Sequence, residues 1–155
     1  MVRVWTFKDA GLLSAVAHDL RFGGPLRVRR DGARVEATLP LAELRLEGKV
    51  TRRGVERMSE RDHADVERTL TTKVIDAARF PDVVFRGELD GAEAKGTLSF
   101  AGRTLPLAVP VRREGGRLLA TFEVAPSRWG VAPYSAMFGQ LKLQDRVRVE
   151  IDAEE

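Results

Sequence analysis

Two histidines, His18 and His63, are the chain's only imidazoles, and each stands beside an aspartate, as His18-Asp19 and Asp62-His63. An imidazole next to a carboxylate can move protons near neutral pH, and two such pairs can offer nitrogen and oxygen ligands to a metal. Neighbouring residues on a strand point to opposite faces, so His18 and Asp19 do not easily share one site. His18 reads as a half-buried strand residue. His63 reads as a boundary residue in the first turn of a helix, on the side of Val66 and Leu70. Cysteine is absent, which removes thiol nucleophiles, disulfides and thiolate-bound metals. The serines form no Gly-x-Ser-x-Gly elbow, and no glycine-rich phosphate loop occurs. No catalytic residue, metal or cofactor is therefore expected.

Charge points away from nucleic acid. Lys+Arg is 26 against 23 for Asp+Glu, a net charge of +3. The basic clusters Arg27, Arg29, Arg30 and Lys49, Arg52, Arg53, Arg57 are interleaved with Asp31, Glu47 and Glu56. No aromatic residues lie among them to stack bases, so a solvated face is expected. The second cluster reads as a polar loop ahead of the helix.

The elements that must carry these residues are mostly strands. Leu105, Leu107, Val109 and Val111 fall on odd positions, and Leu118, Ala120, Phe122 and Val124 on even ones. Leu141 and Leu143, then Val147, Val149 and Ile151, alternate with polar residues to the C-terminus. Such alternation buries one face and wets the other. The segments 94–100, 104–112 and 117–125 read as an antiparallel meander, with Gly91, Gly102, Gly115 and Gly116 in the turns. Val35, Ala37, Leu39 and Leu41 form another strand after a hairpin turn at Asp31-Gly32. Residues 12–22 read as a long or bent strand. Pro106 and Pro110 cannot donate to a ladder, which makes their strand an edge or locally irregular. Val66, Leu70, Val74 and Ala77 have helical spacing, Ser59 and Asp62 form a capping box, and Phe80-Pro81 stops the helix.

The 155 residues fit one domain, residues 1–155. Hydrophobic residues make up 43% and charged residues 32%, which excludes a disordered chain or a membrane bundle. The fold class is all-β: a closed antiparallel barrel of about eight strands with one inserted α-helix over about 60–78, since closure hides the apolar face and removes edges. A β-sandwich has the same periodicity. No apolar run is long enough for an integral membrane segment, and 1–8 lack the apolar core of a leader. A cytoplasmic location is expected, or a periplasmic one if a leader has been removed.

The inward faces name the residues that would line a cavity: Val35, Ala37, Leu39, Phe85, Leu98, Phe100, Leu107, Val109, Leu118, Ala120, Phe122, Leu141 and Leu143. Aromatics are only 6%, and composition allows a tunnel or a packed core equally. Trp129, Tyr134 and Phe138 lie in the irregular segment 127–139, a lid or a packed loop. His18 and Arg128 are candidates for polar contacts to a head group, and Trp129 is a further candidate for ligand contact.

Several segments, in order and spacing, resemble the YceI-like family of lipocalin-like, polyisoprenoid-binding barrel proteins. They are Gly11-Leu-Leu-Ser-Ala-Val-Ala-His-Asp-Leu20, Arg61-Asp62 with Val66 and Val74-Ile75-Asp76, and Arg79-Phe-Pro-Asp-Val-Val-Phe85. Gly96-Thr-Leu-Ser-Phe-Ala-Gly102, Leu107-Ala-Val-Pro-Val111, Ser127-Arg-Trp-Gly-Val131, Gly139 and Leu141-Lys-Leu-Gln-Asp145 follow, leading into Val147–Ile151. The resemblance covers nearly the whole chain. It implies a non-catalytic carrier for a polyprenol, an isoprenoid quinone or a similar lipid amphiphile, and it implies a homodimer. At about −0.3 kcal/mol per heavy atom, a twenty-carbon tail gives tens of micromolar and a forty-carbon tail near nanomolar affinity. The alternatives are an enzyme on a lipophilic substrate with His18 as its acid or base, and an interaction or stress protein with a solid barrel.

Overall fold

Alternating residues become paired strands wherever turn residues let the chain reverse. The computed structural model describes residues 1–9, 18–136 and 141–155. Its strands are β1 (Val2–Lys8), β2 (Asp19–Gly24), β3 (Arg27–Asp31), β4 (Arg34–Pro40), β5 (Arg45–Thr51) and β6 (Gly54–Glu56). After helix α1 (Glu60–Thr69) come β7 (Asp82–Asp90), β8 (Glu93–Phe100), β9 (Arg103–Glu114), β10 (Arg117–Val124), β11 (Ser135–Ala136) and β12 (Leu141–Glu154). The pairings are antiparallel, in the order β3-β4-β7-β8-β9-β10-β12-β1-β2-β5-β6, with β11 beside β12 off this path.

In place of a closed barrel of about eight strands, the pairing gives a curled half-barrel. The sheet has twelve strands, and its path ends at β3 and β6 without a pairing between them among the described residues. One reason for the higher count lies at 45–56. That stretch reads as a polar loop because its arginines mask a weak alternation, yet Lys49↔Glu56 and Thr51↔Gly54 pair as a hairpin. The long strand expected over 12–22 is seen from Asp19 on, and residues 10–17 lie outside the described residues.

Chain connectivity forces the curl. Only Pro25 and Leu26 join β2 to β3, which stand far apart along the sheet path. Consecutive Cα atoms are about 3.8 Å apart, so those strand ends lie within about 11 Å of each other. A second short link, 41–44, joins β4 to β5. Side chains seal the seam that hydrogen bonds leave open. Leu39, Leu41, Leu44 and Leu46 pack with Phe22, Val2 and Ile75 in one buried cluster. A second cluster, Leu89, Ala94, Val109 and Leu118, fills the end of the sheet near the β7–β8 and β9–β10 turns.

Local chemistry shapes the curved wall at two places. Gly87 and Gly96 face each other across β7 and β8. A Cβ on Gly96 would lie 2.0 Å from the Arg86 carbonyl oxygen and 2.5 Å from the Gly87 Cα. Only two glycines allow the strands to approach this closely. The prolines act on β9. Val111 N donates to the Ala92 carbonyl at 2.7 Å, so odd residues of β9 turn their N–H toward β8 and even ones toward β10. Pro106 and Pro110 are even. Residues 103–110 accordingly pair with β8 alone, and pairing with β10 starts at Val111. The expected edge character therefore occurs on one side of half a strand.

Helix α1 closes over the seam. Ser59 is its cap, its hydroxyl accepting from Asp62 N at 3.2 Å. Val66, Leu70 and Val74 pack onto the first cluster. The α-helix is shorter than the expected 60–78. It ends at Thr69 and runs into a π turn over Leu70–Val74. There the Thr71 and Thr72 hydroxyls donate back to the Glu67 and Arg68 carbonyls at 3.1 and 2.6 Å, a competition that bends helices. Ile75 leaves the turn extended and enters the core.

Candidate ligand-binding cavity

The inward faces of the curled sheet enclose an apolar cavity of about 570 Å³. Residues predicted to line it do so on five strands: Val35, Ala37 and Leu39 of β4, Phe85 of β7, Leu98 and Phe100 of β8, Leu107 and Val109 of β9, and Leu118, Ala120 and Phe122 of β10. Leu143 of β12 joins them. Leu141 opens β12, but its side chain lies outside the described residues, as does Phe138. Composition allows a tunnel or a packed core equally; the space is a cavity.

Three candidates stand elsewhere. Trp129 is 2% exposed and absent from the lining; its Nε1 donates to the Leu98 carbonyl at 3.0 Å. It props the wall from outside. Arg128 stacks on that indole, 5.3 Å from the ring centre, and its carbonyl accepts from Arg103 Nη1 at 2.9 Å. Both belong to a short 3-10 turn that ends at Gly130, φ 79°. Ser127, the second residue of the turn, donates from its N and Oγ to Asp145, which holds that carboxyl below the usual range. His18 precedes β2 and is also outside the lining. Burial, then Lys49 and Lys8, push its pKa below the ordinary imidazole value.

The wall also holds residues that the sequence reading passed over. Val2, Val4 and Thr6 of β1 and Val147, Val149 and Ile151 of β12 line it, and their period-2 spacing was a sufficient signal. Val66, Leu70 and Val74 contribute one helical stripe. Tyr134, from the irregular segment, lines it too, and its carbonyl accepts from Leu143 N at 3.0 Å.

Polarity is confined to few groups. Asp65 of α1 is the one charged side chain of the lining among the described residues. Thr6, Tyr134 and Gln144 gather where β1 ends and β12 begins. Gln144 Nε2 donates to the Lys8 carbonyl at 3.0 Å. Thr6 Oγ1 is buried with no hydrogen-bond partner. The opposite end is plugged by the buried Leu89, Ala94, Val109 and Leu118, so among the described residues the polar end is the mouth.

His63 is more deeply placed than a boundary residue, at 6% exposed. Its Nε2 lies 3.9 Å from Glu67 Oε1, which accepts from Leu46 N at 2.9 Å and so pins α1 to the first half of β5, the part that β6 does not pair. The ring is outside the cavity lining, and its buried Nδ1 has no hydrogen-bond partner. Among the described residues no group of three or more His, Asp or Glu side chains could hold a metal ion.

A half-barrel sheet curled around an apolar cavity defines the class: a β-cup with room for a hydrophobic molecule. The YceI-like domain matches residues 8–155, and the chain belongs to that family. Among solved structures it is similar to a polyisoprenoid binding domain from Saccharophagus degradans implicated in plant cell wall breakdown. That match has a TM-score of 0.60 and 11% identity, covering 99% of this chain and 93% of the other. BcnA of Burkholderia cenocepacia matches with a TM-score of 0.54 and 15% identity, over 97% of this chain and 94% of that one. A mutant CJ YCEI protein with a monobromobimane guest matches with a TM-score of 0.52 and 12% identity, over 86% and 84% of the two chains. At these identities the likeness concerns the fold. No curated protein matches the chain.

Proposed function

We propose that this protein binds a long single-tailed isoprenoid or similar lipid amphiphile and carries it without chemical change. The observation that supports this reading is the cavity itself: about 570 Å³, walled mostly by aliphatic and aromatic side chains, with Thr6, Tyr134 and Gln144 together at one end. That volume lies within the range of about 300–1,000 Å³ usual for ligand pockets. Membership of the YceI-like family and the polyisoprenoid-binding neighbour point the same way. The tail is held by removal from water, and the head by hydrogen bonds from Thr6, Tyr134 or Gln144. A methylene is close in size to a water molecule, whose share of the liquid is about 30 Å³, so the cavity takes on the order of twenty chain carbons. A forty-carbon tail would leave about half its length outside. His18, the one acid–base candidate, stands outside the lining, which favours carriage over catalysis. Organic extraction of the purified protein followed by mass spectrometry tests the reading. A stoichiometric lipid with an unmodified tail is expected. No extractable lipid, together with no binding of a twenty-carbon prenyl alcohol, would refute it.

A further inference from the structure

One end of the half-barrel is rich in cations. Lys142, Lys8, Asp19 and Val50 follow one another across β12, β1, β2 and β5 at the mouth, and the β5–β6 turn projects beyond them. This rim holds Lys8, Lys49, Arg52, Arg53, Arg57 and Lys142 against Asp9, Asp19 and Glu56. Asp19 Oδ1 accepts from Lys8 N at 2.7 Å. Arg52, Arg53, Arg57 and Lys142 are exposed and make no ion pair among the described residues. At the plugged end Asp31, Glu88, Asp90, Glu93, Glu114, Asp152, Glu154 and Glu155 stand among Arg30, Arg34, Lys95, Arg112, Arg113 and Arg117, and ion pairs between the two sets leave the charge there nearly balanced. The excess of cations therefore lies along the arc of the rim formed by β12, β1, β2, β5 and β6. Lys8 and Lys49 are the direct strand partners of the lining residues Leu143 and Leu20.

We propose that this rim docks on an anionic lipid bilayer, mouth downward, so that a lipid passes between membrane and cavity without crossing water. The inference rests on the lipid-carrier reading above and adds to it the surface and the partner. Each Lys or Arg near an anionic bilayer favours binding, and the attraction fades within a Debye length, about 8–10 Å at physiological salt. A nucleic acid would meet the same cations, but it would not use the cavity and finds no exposed aromatic in the β5–β6 turn on which to stack a base.

The test is co-sedimentation of the intact protein with vesicles rich in phosphatidylglycerol or made of phosphatidylcholine alone. Binding is expected to the anionic vesicles only, and it should vanish at high salt. At about fivefold per cation, Arg52→Gln with Arg53→Gln should weaken it on the order of 25-fold. Both side chains are exposed in a turn, and an unchanged circular dichroism spectrum checks the fold. If the pair disturbs folding, Lys142→Gln and the salt series on the unmodified protein carry the test. Arg112→Gln with Arg113→Gln, at the other end, should have no effect. Equal binding to neutral vesicles, no vesicle binding at all, or equal weakening by the far-end pair would overturn the proposal. Retention on duplex DNA at physiological salt without vesicle binding would transfer the surface to nucleic acid. Extraction of lipid from the same preparation separates the two readings: lipid without vesicle binding sinks docking alone, and vesicle binding without lipid sinks the carrier alone.

Discussion

Ala120 offers the sharpest test of the open interior. It is 8% exposed, lines the cavity, and pairs with Val111 on one side and Ile151 on the other. Ala120→Trp adds roughly nine heavy atoms on the inner face, which at about 30 Å³ for each water-sized group take up to roughly 270 Å³. That is close to half of the 570 Å³ available. The ring therefore enters space, and the melting temperature should change by less than about 2 °C. A packed interior would instead be strained by about 1–3 kcal/mol, a fall of about 2–12 °C for a chain of this size. Ligand pays for the insertion. Displacing about nine tail carbons at about 0.3 kcal/mol each weakens binding by about 2.7 kcal/mol, on the order of 100-fold. Thermal unfolding gives the first quantity, and titration with a twenty-carbon prenyl alcohol gives the second. A melting temperature several degrees lower would show that the cavity is filled in solution. An unchanged melting temperature with unchanged affinity would show that Ala120 does not face the ligand.

The remaining predictions concern tail length, the helix, the glycine pair and pH. Affinity for prenyl alcohols should rise with tail length to about twenty carbons and then level off; a steady rise to forty would contradict the enclosed volume. Glu67→Ala leaves Leu46 N without its acceptor and should cost about 1–3 kcal/mol in urea unfolding, whereas Glu67→Gln keeps an acceptor oxygen and should cost less. Equal losses in both variants would count against the hydrogen bond. Gly96→Ala places a Cβ against the Arg86 carbonyl and should destabilise by about 1–3 kcal/mol; an unaffected melting temperature would mean that the strands separate freely there. His18 has a folded-state pKa below its unfolded one, from burial first and then Lys49 and Lys8. The unfolded chain then binds more protons as pH falls, so this contribution to stability is full above about 6.5 and is lost below it. His18→Gln should flatten the melting temperature against pH in that window, and an unaltered slope would refute the assignment.

The β-rich fold was legible because its signal is local. Alternation at 94–124 located the meander to within a few residues, and Asp31-Gly32 located the hairpin turn, where Gly32 has φ 60°. The inner faces followed from the same periodicity, which is why the predicted residues of β4, β7, β8, β9 and β10 all reach the cavity. Strand count and closure were not legible. Whether the ends of a curled sheet meet depends on links such as Pro25-Leu26 and on pairings far apart in sequence. The β5–β6 hairpin was hidden because its side chains are mostly solvated, so its pattern is charge rather than alternation. Trp129 misled for a different reason. A large aromatic in an irregular segment suits a ligand lid as well as a buried brace, and only the bond to the Leu98 carbonyl separates them. Polar contacts such as Glu67 to Leu46 N join elements 21 residues apart, and no periodicity announces them.

The unpaired seam between β3 and β6 has a mechanical consequence. In a closed barrel the strand number and shear fix the radius, and any change of girth must break a ladder of hydrogen bonds. Here the circumference is completed by leucine side chains and one helix, which can slide by fractions of an ångström with their contacts kept. The wall is stiff along its strands and compliant across one line. Such a vessel can take guests of different thickness by opening like a split ring, and its elastic reserve lies in the strip between β4, β5 and α1.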